Sequence, residues 1–316
     1  MKTDFEHCES LYWVFTQLCN DKCDHCYNLS GPKGERISEE ECLQIIENLP
    51  SKIDRIILSG GEPLAEKKKL YLILDELGRR YPISDTQIML QTNGDLLTEQ
   101  ILDTLIEKGV SRFDIASIDR YHKFKGEKLE ALGKLFESRN VSDENTDPLI
   151  EKSNYLERSL TWGYWGATED MWLGGNWARG RAMKKNIWKR DPHHNFCKIM
   201  SGARNFLGGY DDIPQEISIQ LWKINPCCPG TLYPLGDART EKVSEVLKRT
   251  SEIPAFKALN EGETMKMALE LGMDRGKAEV LLENSQNICL FCDQVFLNFI
   301  KTPNSHDFIP LPVKHQ

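Results

Sequence analysis

The sequence lacks the features of membrane, secreted and nucleic-acid-binding proteins. None of its apolar runs approaches the roughly 20 residues that a membrane-spanning helix needs, and residues 1–8 contain no apolar signal-peptide core. The 48 aspartates and glutamates outnumber the 40 lysines and arginines, which leaves a net charge of −8. We therefore expect a cytoplasmic protein with neither a membrane nor a nucleic acid as its partner.

The sequence also has no internal repeat and no low-complexity tract, and its 316 residues are enough for a large buried core. Its ten cysteines are unusual for a reducing compartment, where structural disulfides are rare. Three lie within residues 19–26 and five within residues 197–292, and only Cys8 and Cys42 stand apart. This clustering predicts metal binding or redox chemistry.

Strand and helix patterns alternate along roughly the first 140 residues. Ser38-Glu39-Glu40-Glu41 has the form of a capping box, which predicts the start of a helix. The alternation predicts an α/β protein with a parallel sheet and helices on its outer face. Because the carboxyl ends of parallel strands meet at one rim, the first cysteine loop should lie there beside the polar segments 60–63, 91–94 and 117–119.

The pattern changes in the second half of the chain. Residues 217–224 look like a hairpin strand that leads into Pro226-Cys227-Cys228-Pro229, and helical patterns follow at about 241–259 and 263–284. We expect a barrel-like domain at residues 1–190 and a small second domain at residues 191–316.

Cys19, Cys23 and Cys26 have the spacing of an open iron–sulfur site. Three thiolates can hold three irons of a cubane cluster and leave the fourth iron open to a substrate or cofactor. The alternative is a structural zinc site, which needs a fourth ligand nearby. His25 lies between two of the cysteines, and the Cys and His before residue 10 are irregularly spaced, so the spacing favours the open cluster.

This motif resembles the Cys-x-x-x-Cys-x-aromatic-Cys signature of the radical S-adenosylmethionine (SAM) superfamily, with His25 in the aromatic place. The resemblance implies a partial (β/α)6 barrel with a 4Fe–4S cluster on the three cysteines and SAM bound at the fourth iron. It also implies an external one-electron reductant of the flavodoxin or ferredoxin type. In that family SAM is cleaved to a 5′-deoxyadenosyl radical, which removes a hydrogen atom from the substrate.

The resemblance extends to positions that would bind SAM. Gly60-Gly61-Glu62-Pro63 is similar to the family's motif for the cofactor amine, in which the glycines permit close backbone approach and Glu62 supplies a counter-charge. Further matching positions imply contacts with the ribose and the carboxylate, although strand-end capping and surface exposure are the alternatives: Asn93, Ser117, Asp119 and Arg181.

The later cysteines resemble the ligands of a Twitch domain, the shortened form of the SPASM auxiliary-cluster domain. This resemblance implies a second 4Fe–4S cluster, and a zinc site on the same residues is the alternative. The four expected ligands are Cys197, Cys227, Cys289 and Cys292.

Cys228 is left over, and a thiol beside the radical site is a suitable hydrogen-atom donor. The Pro-Cys-Cys sequence, the segment 289–296 and the Asp-x-Tyr-His segment 119–122 resemble radical peptide epimerases. The alternatives are that Cys228 is an unreactive buried thiol, or that it replaces Cys227 as a ligand.

A segment rich in Trp and Gly at 160–190 suggests a substrate cleft, with core packing as the alternative. Its tryptophans and glycines are Trp162, Gly163, Trp165, Gly166, Trp172, Gly174, Gly175, Trp177 and Trp188.

The leading hypothesis for the function is epimerisation of an amino-acid residue in a ribosomally made peptide. The alternatives are a dehydrogenase of a sugar or cyclitol alcohol, a peptide cross-linking enzyme, and a non-catalytic zinc or iron–sulfur protein.

Overall fold

The computed structural model describes residues 3–122, 125–144, 160–166, 177–198, 205–209 and 213–299. Trp172, Gly174 and Gly175 of the predicted cleft lie outside the described residues.

The first half of the chain has the predicted alternation of strands and helices. The capping box before the first helix is present: the Ser38 hydroxyl accepts a hydrogen bond from the Glu41 N–H at 3.1 Å, and the Glu41 carboxylate accepts one from the Ser38 N–H at 2.8 Å. In chain order the elements are β1 (His7–Val14), α1 (Glu39–Glu47), β2 (Lys52–Ser59), α2 (Lys67–Arg80), β3 (Gln87–Thr92), α3 (Glu99–Glu107), β4 (Val110–Ile115) and α4 (Lys125–Glu137).

The second half contains short strands and a run of helices. The elements are β5 (Ser142–Asp143), β6 (Thr161–Tyr164), α5 (Gly180–Lys184), β7 (Glu216–Gln220), β8 (Lys223–Asn225), β9 (Gly236–Asp237), α6 (Val243–Thr250), α7 (Pro254–Asn260), α8 (Thr264–Glu270), α9 (Arg275–Ser285) and α10 (Ile288–Phe299). The two helical patterns predicted after residue 240 are each divided into two helices. Pro254 is the first residue of α7, a position where its missing N–H costs nothing. Gly272, at φ +88°, separates α8 from α9.

A single sheet joins the strands in the order β5-β6-β4-β3-β2-β1-β7-β8-β9. The strands from β5 to β7 in this order are parallel, which confirms the predicted α/β class and the parallel sheet of the partial barrel. β7 and β8 form the predicted antiparallel hairpin. Since β7 pairs with β1, the sheet is shared by the two domains that the sequence predicts.

The end of β1 is buried on both faces. Leu11 and Trp13 belong to the main core with the helices, whereas Tyr12 and Val14 belong to a separate cluster on the other face. This explains why residues 11–14 form an apolar run without alternation. Within the described part of the chain, no helix has the length and apolar character required to cross a membrane.

Candidate active site

The first cysteine loop follows β1 and forms one wall of a cavity at the carboxyl ends of the strands. Its open space, counted to the mouth, is about 670 Å³. All three predicted cluster ligands line it, together with residues from the ends of β2, β3 and β4. The lining residues used below are Tyr12, Cys19, Cys23, His25, Cys26, Tyr27, Ser59, Gly60, Gly61, Gln91, Asn93, His122, Trp165 and Arg181.

The two glycines of the Gly-Gly-Glu-Pro segment hold the cysteine loop against the end of β2. The Gly61 N–H donates to the Thr16 carbonyl at 2.7 Å, and the Glu62 N–H donates to the Leu18 carbonyl at 2.9 Å. A Cβ atom on Gly61 would lie 2.5 Å from the Leu18 oxygen, and one on Gly60 would lie 2.9 Å from the Thr16 oxygen. Both glycines are therefore needed for this contact within the protein itself.

Glu62 is fully buried, and its carboxylate already has three partners in the protein. It accepts hydrogen bonds from the Leu64 N–H at 3.0 Å, the Thr92 hydroxyl at 2.7 Å and the Asn93 N–H at 2.7 Å. Burial raises the pKa of Glu62, and these hydrogen bonds oppose that effect. Glu62 therefore ties the turn that begins at Pro63 to the end of β3 from behind the cavity wall.

The three residues predicted at the next strand ends occupy different depths. Asn93 lines the cavity, and its side-chain amide donates to the Asn20 side chain at 2.8 Å. Ser117 is buried behind it and donates to the Asn93 carbonyl at 2.7 Å. Asp119 accepts hydrogen bonds from the backbone of Tyr121 and His122. Of these three residues, the cavity lining includes Asn93 but neither Ser117 nor Asp119.

His122 lines the cavity, although the sequence did not mark it as a site residue. Its Nδ1 atom lies 2.9 Å from the Asp119 carboxylate, which orients the ring. His25 packs against it, with ring centroids 5.0 Å apart, and against the Tyr121 ring at 4.6 Å. Burial, followed by the nearby His122, lowers the pKa of His25 to about 4.

His25 and His122 also bear on the zinc alternative. Ligand atoms of Cys23, His25 and His122 all lie within 4.8 Å of one another, and among the described residues no other group of this kind is compact enough for a single metal ion. The zinc alternative therefore has a possible ligand set here, which the irregular spacing in the sequence did not indicate. It would use one of the three cysteines and leave Cys19 and Cys26 without a role.

Arg181 is buried, which excludes the alternative of a surface arginine. Its guanidinium donates to the Cys23 carbonyl at 2.7 Å and to the Ser30 carbonyl at 2.9 Å, and its backbone N–H donates to the Cys26 carbonyl at 2.8 Å. A Cβ atom on the preceding Gly180 would lie 2.2 Å from the Tyr27 carbonyl oxygen. The start of α5 therefore fastens the cysteine loop from the side opposite to the Gly-Gly-Glu-Pro segment.

A hydroxyl network lines part of the cavity, and the sequence did not reveal it. The Tyr12 hydroxyl lies 3.1 Å from the Tyr27 hydroxyl and 2.9 Å from the Ser59 hydroxyl, and it donates to the Gln91 side chain at 2.9 Å. The Tyr27 hydroxyl lies 3.8 Å from the Cys228 sulfur. Cys228 packs with Tyr12 and Tyr27 on the inner face of the sheet, and burial raises its pKa to about 12.

The four predicted auxiliary ligands come from three separate segments. Cys197 lies in a short 3-10 turn, Cys227 follows β8, and Cys289 and Cys292 lie three residues apart, hence on one face of α10. Burial raises the pKa of Cys227, Cys289 and Cys292, and in each case the nearby charge of Cys197 adds to the effect. The four thiols therefore lie near one another beside Arg179, with Cys289 and Cys292 buried and Cys197 and Cys227 partly buried.

Four cysteine thiolates are the ligand set of a 4Fe–4S cluster and also of a structural zinc site, so this donor set is compatible with both alternatives.

The tryptophans of the predicted cleft divide between the core and the cavity. Trp162 stacks on Phe136 at 4.7 Å, and Trp177 packs against Phe196 at 5.2 Å, so the packing alternative holds for both. Trp188 lies under the Arg190 guanidinium. Among the described tryptophans, Trp165 is the one that lines the cavity.

The chain is similar in part to known proteins. Residues 13–121 match the profile of the Radical SAM superfamily. The chain is 33% identical over 122 residues to an "AdoMet-dependent heme synthase" of Methanosarcina barkeri, which covers 36% of the chain and 33% of the relative. It is 30% identical over 122 residues to a "GTP 3',8-cyclase" of Rhizobium etli, which covers 37% of the chain and 34% of the relative. The match thus spans about a third of the length of these curated relatives.

Two solved structures are also similar. The structure of BtrN in complex with AdoMet and 2-DOIA matches with a TM-score of 0.49 and 15% identity, over 83% of this chain and 89% of that one. The structure of anSMEcpe with bound AdoMet and the Cp18Cys peptide matches with a TM-score of 0.43 and 14% identity, over 77% and 80%. From the sequence profile, residues 13–121 contain a radical SAM domain, and the cysteine loop lies within it. This assignment implies a 4Fe–4S cluster and SAM as cofactors.

Proposed function

We propose that the chain is a radical SAM enzyme that epimerises an amino-acid residue of a ribosomally made peptide, with Cys228 as the hydrogen-atom donor. The observation that supports this most is the position of Cys228. Its neighbour Cys227 lies with the other three auxiliary cysteines, whereas the Cys228 sulfur lies 3.8 Å from the hydroxyl of Tyr27, which lines the cavity. On this proposal, the two adjacent thiols would serve two different sites.

The residues that would hold the cofactors fit them. Cys19, Cys23 and Cys26 line the cavity as three free thiols, and the loop that bears them is fastened from two sides. Asn93 lines the same cavity and would contact SAM. When bound, the cluster and SAM would supply the radical chemistry that removes a hydrogen atom from an unactivated carbon. Four further thiols, at Cys197, Cys227, Cys289 and Cys292, would hold the auxiliary 4Fe–4S cluster.

The proposed role of Cys228 is the return of a hydrogen atom. Its S–H bond breaks, a C–H bond forms on the substrate radical, and the sulfur keeps one unpaired electron. One electron from an external reductant of the flavodoxin or ferredoxin type, with one proton, restores the thiol. The high pKa of Cys228 keeps the sulfur protonated before this step, as hydrogen donation requires. Gln220 holds the segment in place by donating a hydrogen bond to the Cys228 carbonyl.

The test is turnover in deuterium oxide with candidate peptides, compared between the wild-type chain and Cys228→Ala. We expect one solvent deuterium at the inverted carbon of the wild-type product. In the variant we expect 5′-deoxyadenosine to form but no epimer. Cys42→Ala is a matched control because Cys42 is a buried cysteine in α1, outside the site. An unchanged yield of epimer from Cys228→Ala would refute the donor role.

The same experiment distinguishes the other reactions. A dehydrogenase of a sugar or cyclitol alcohol would leave a carbonyl without solvent deuterium, and the auxiliary cluster would accept the electron. A cross-linking enzyme would give a peptide lighter by two hydrogens. In both cases Cys228→Ala would retain activity, and the epimerase proposal would be abandoned.

A further inference from the structure

We infer that Arg179 is a positioning residue for the four auxiliary cysteines, and that its charge, opposed by Asp293, sets the reduction potential of the cluster they hold. This inference rests on the auxiliary cluster of the proposed function. It concerns a residue that the sequence did not mark, two positions before Arg181.

Arg179 connects the two segments that supply three of the four thiols. Its Nε donates to the Gly230 carbonyl at 3.2 Å, in the loop that follows Cys227. Its Nη2 donates to the Cys289 carbonyl at 3.1 Å, at the start of α10. One guanidinium therefore holds the loop after β8 against α10, and the sulfur atoms on both segments depend on its position.

Arg179 and Asp293 form a bidentate ion pair between the loop after β8 and α10. Nη1 lies 2.9 Å from one carboxylate oxygen of Asp293, and Nη2 donates to the other at 3.0 Å. The two side chains are only 13% and 17% exposed, so solvent screens their charges weakly. Asp293 also accepts a hydrogen bond from the Leu232 N–H at 3.2 Å, which holds the pair to the loop.

Arg179 and Asp293 carry opposite charges close to the auxiliary cysteines. The Arg179 guanidinium contacts the Cys289 carbonyl, and Asp293 directly follows Cys292 in the chain. Net charge and hydrogen bonding near the sulfur atoms are main determinants of the potential of an iron–sulfur cluster. A positive charge favours the added electron, and a negative charge opposes it.

The segment that contains Arg179 and Arg181 contacts both cysteine sites, but each of the two arginines contacts a different site. Arg179 contacts the auxiliary segments, and Arg181 contacts the carbonyls of Cys23 and Ser30. A substitution at position 179 should therefore alter the auxiliary cluster and leave iron at the first site unchanged.

The test isolates the auxiliary cluster in the full chain by replacing Cys19, Cys23 and Cys26 with Ala. The protein is reconstituted anaerobically with iron and sulfide, and iron content, EPR spectrum and midpoint potential are measured. We expect about four irons per chain. Arg179→Met should lower the potential, Asp293→Asn should raise it, and Arg179→Lys should fall between Arg179→Met and the parent. Arg190→Met is the control, because Arg190 is an exposed arginine stacked on Trp188.

Opposite shifts of potential are a result that a purely structural role would not produce. Unchanged potentials, or shifts of the same sign in Arg179→Met and Asp293→Asn, would overturn the inference. If Arg179→Met fails to retain iron, the test depends on Asp293→Asn. If the midpoint potential of that variant does not rise, the inference is overturned. If the parent with an intact auxiliary site binds no iron, the auxiliary cluster itself is wrong, and the inference falls with it.

Discussion

Arg181 shows how much of the first cysteine site depends on one side chain. It is buried, and it donates to the carbonyls of Cys23 and Ser30, which lie at opposite ends of the loop that turns around Cys26. Without the guanidinium these carbonyls would lose their donors, and a hydrogen bond to a charged group is worth about 1.5–3 kcal/mol. The loop would then hold its three thiols less rigidly.

We predict that Arg181→Met loses most of the iron at the first site after anaerobic reconstitution and keeps iron at the auxiliary site. Iron per chain should fall from about eight toward about four. The matched control is Arg190→Met, which removes an exposed arginine and should keep the full iron content. Full iron content in Arg181→Met would show that the loop does not need this contact.

The sequence predicted which segments meet at the carboxyl ends of the strands better than it predicted the directions of their side chains. Cys19, Cys23, Cys26 and Asn93 line the cavity as expected, because they follow strands whose carboxyl ends meet. Glu62 and Ser117 support the wall from behind, because a polar residue at a strand end can point either way. The sequence did not predict the network of Tyr12, Tyr27 and Cys228. Its members are separated along the chain, and β1 is apolar on both faces.

At the scale of elements, the cysteine loop is held by backbone contacts from two sides. On one side the N–H groups of Gly61 and Glu62 continue the pairing of β1 with β2, and on the other the start of α5 touches Cys26 and Tyr27. Both contacts bring backbone against backbone at distances that exclude a Cβ atom. The glycines in these segments are therefore required for packing, whatever they also do for SAM.

We predict opposite effects for two glycine substitutions. Gly61→Ala should lower the free energy of unfolding by more than 1 kcal/mol, because overpacking of this kind costs about 1–3 kcal/mol and the Cβ would lie 2.5 Å from the Leu18 oxygen. Gly78→Ala is the control: Gly78 lies inside α2 with nothing within 4 Å of its Cβ position. It should raise stability by about 0.5–1 kcal/mol.

Urea unfolding of the two variants measures both effects. Equal stability of Gly61→Ala and the wild-type chain would mean that the loop can move away from β2 at little cost.

The helices after residue 240 show that helix boundaries are hard to predict from the sequence. Their apolar periodicity continues across Pro254 and Gly272, and each of the two predicted helical ranges contains two short helices in the structure.

At the scale of the whole molecule, the two cysteine groups belong to one sheet. β7 pairs with β1, the Trp13 indole donates to the Leu221 carbonyl at 2.9 Å, and the hairpin then leads directly to Cys227 and Cys228. The predicted division at residue 190 does not reveal this connection, because strand pairing between distant segments leaves little trace in a single sequence. Through the sheet, Cys228 comes within 3.8 Å of the hydroxyl of Tyr27, which lines the cavity.

We propose that the chain holds an open iron–sulfur site on Cys19, Cys23 and Cys26 and a closed one on the four later cysteines. Anaerobic reconstitution tests this when it is followed by metal analysis and by reduction with dithionite in the presence of SAM. We expect about eight irons per chain and release of 5′-deoxyadenosine, with release abolished when Cys19, Cys23 and Cys26 are replaced by Ala. Two zinc ions per chain and no 5′-deoxyadenosine would contradict it.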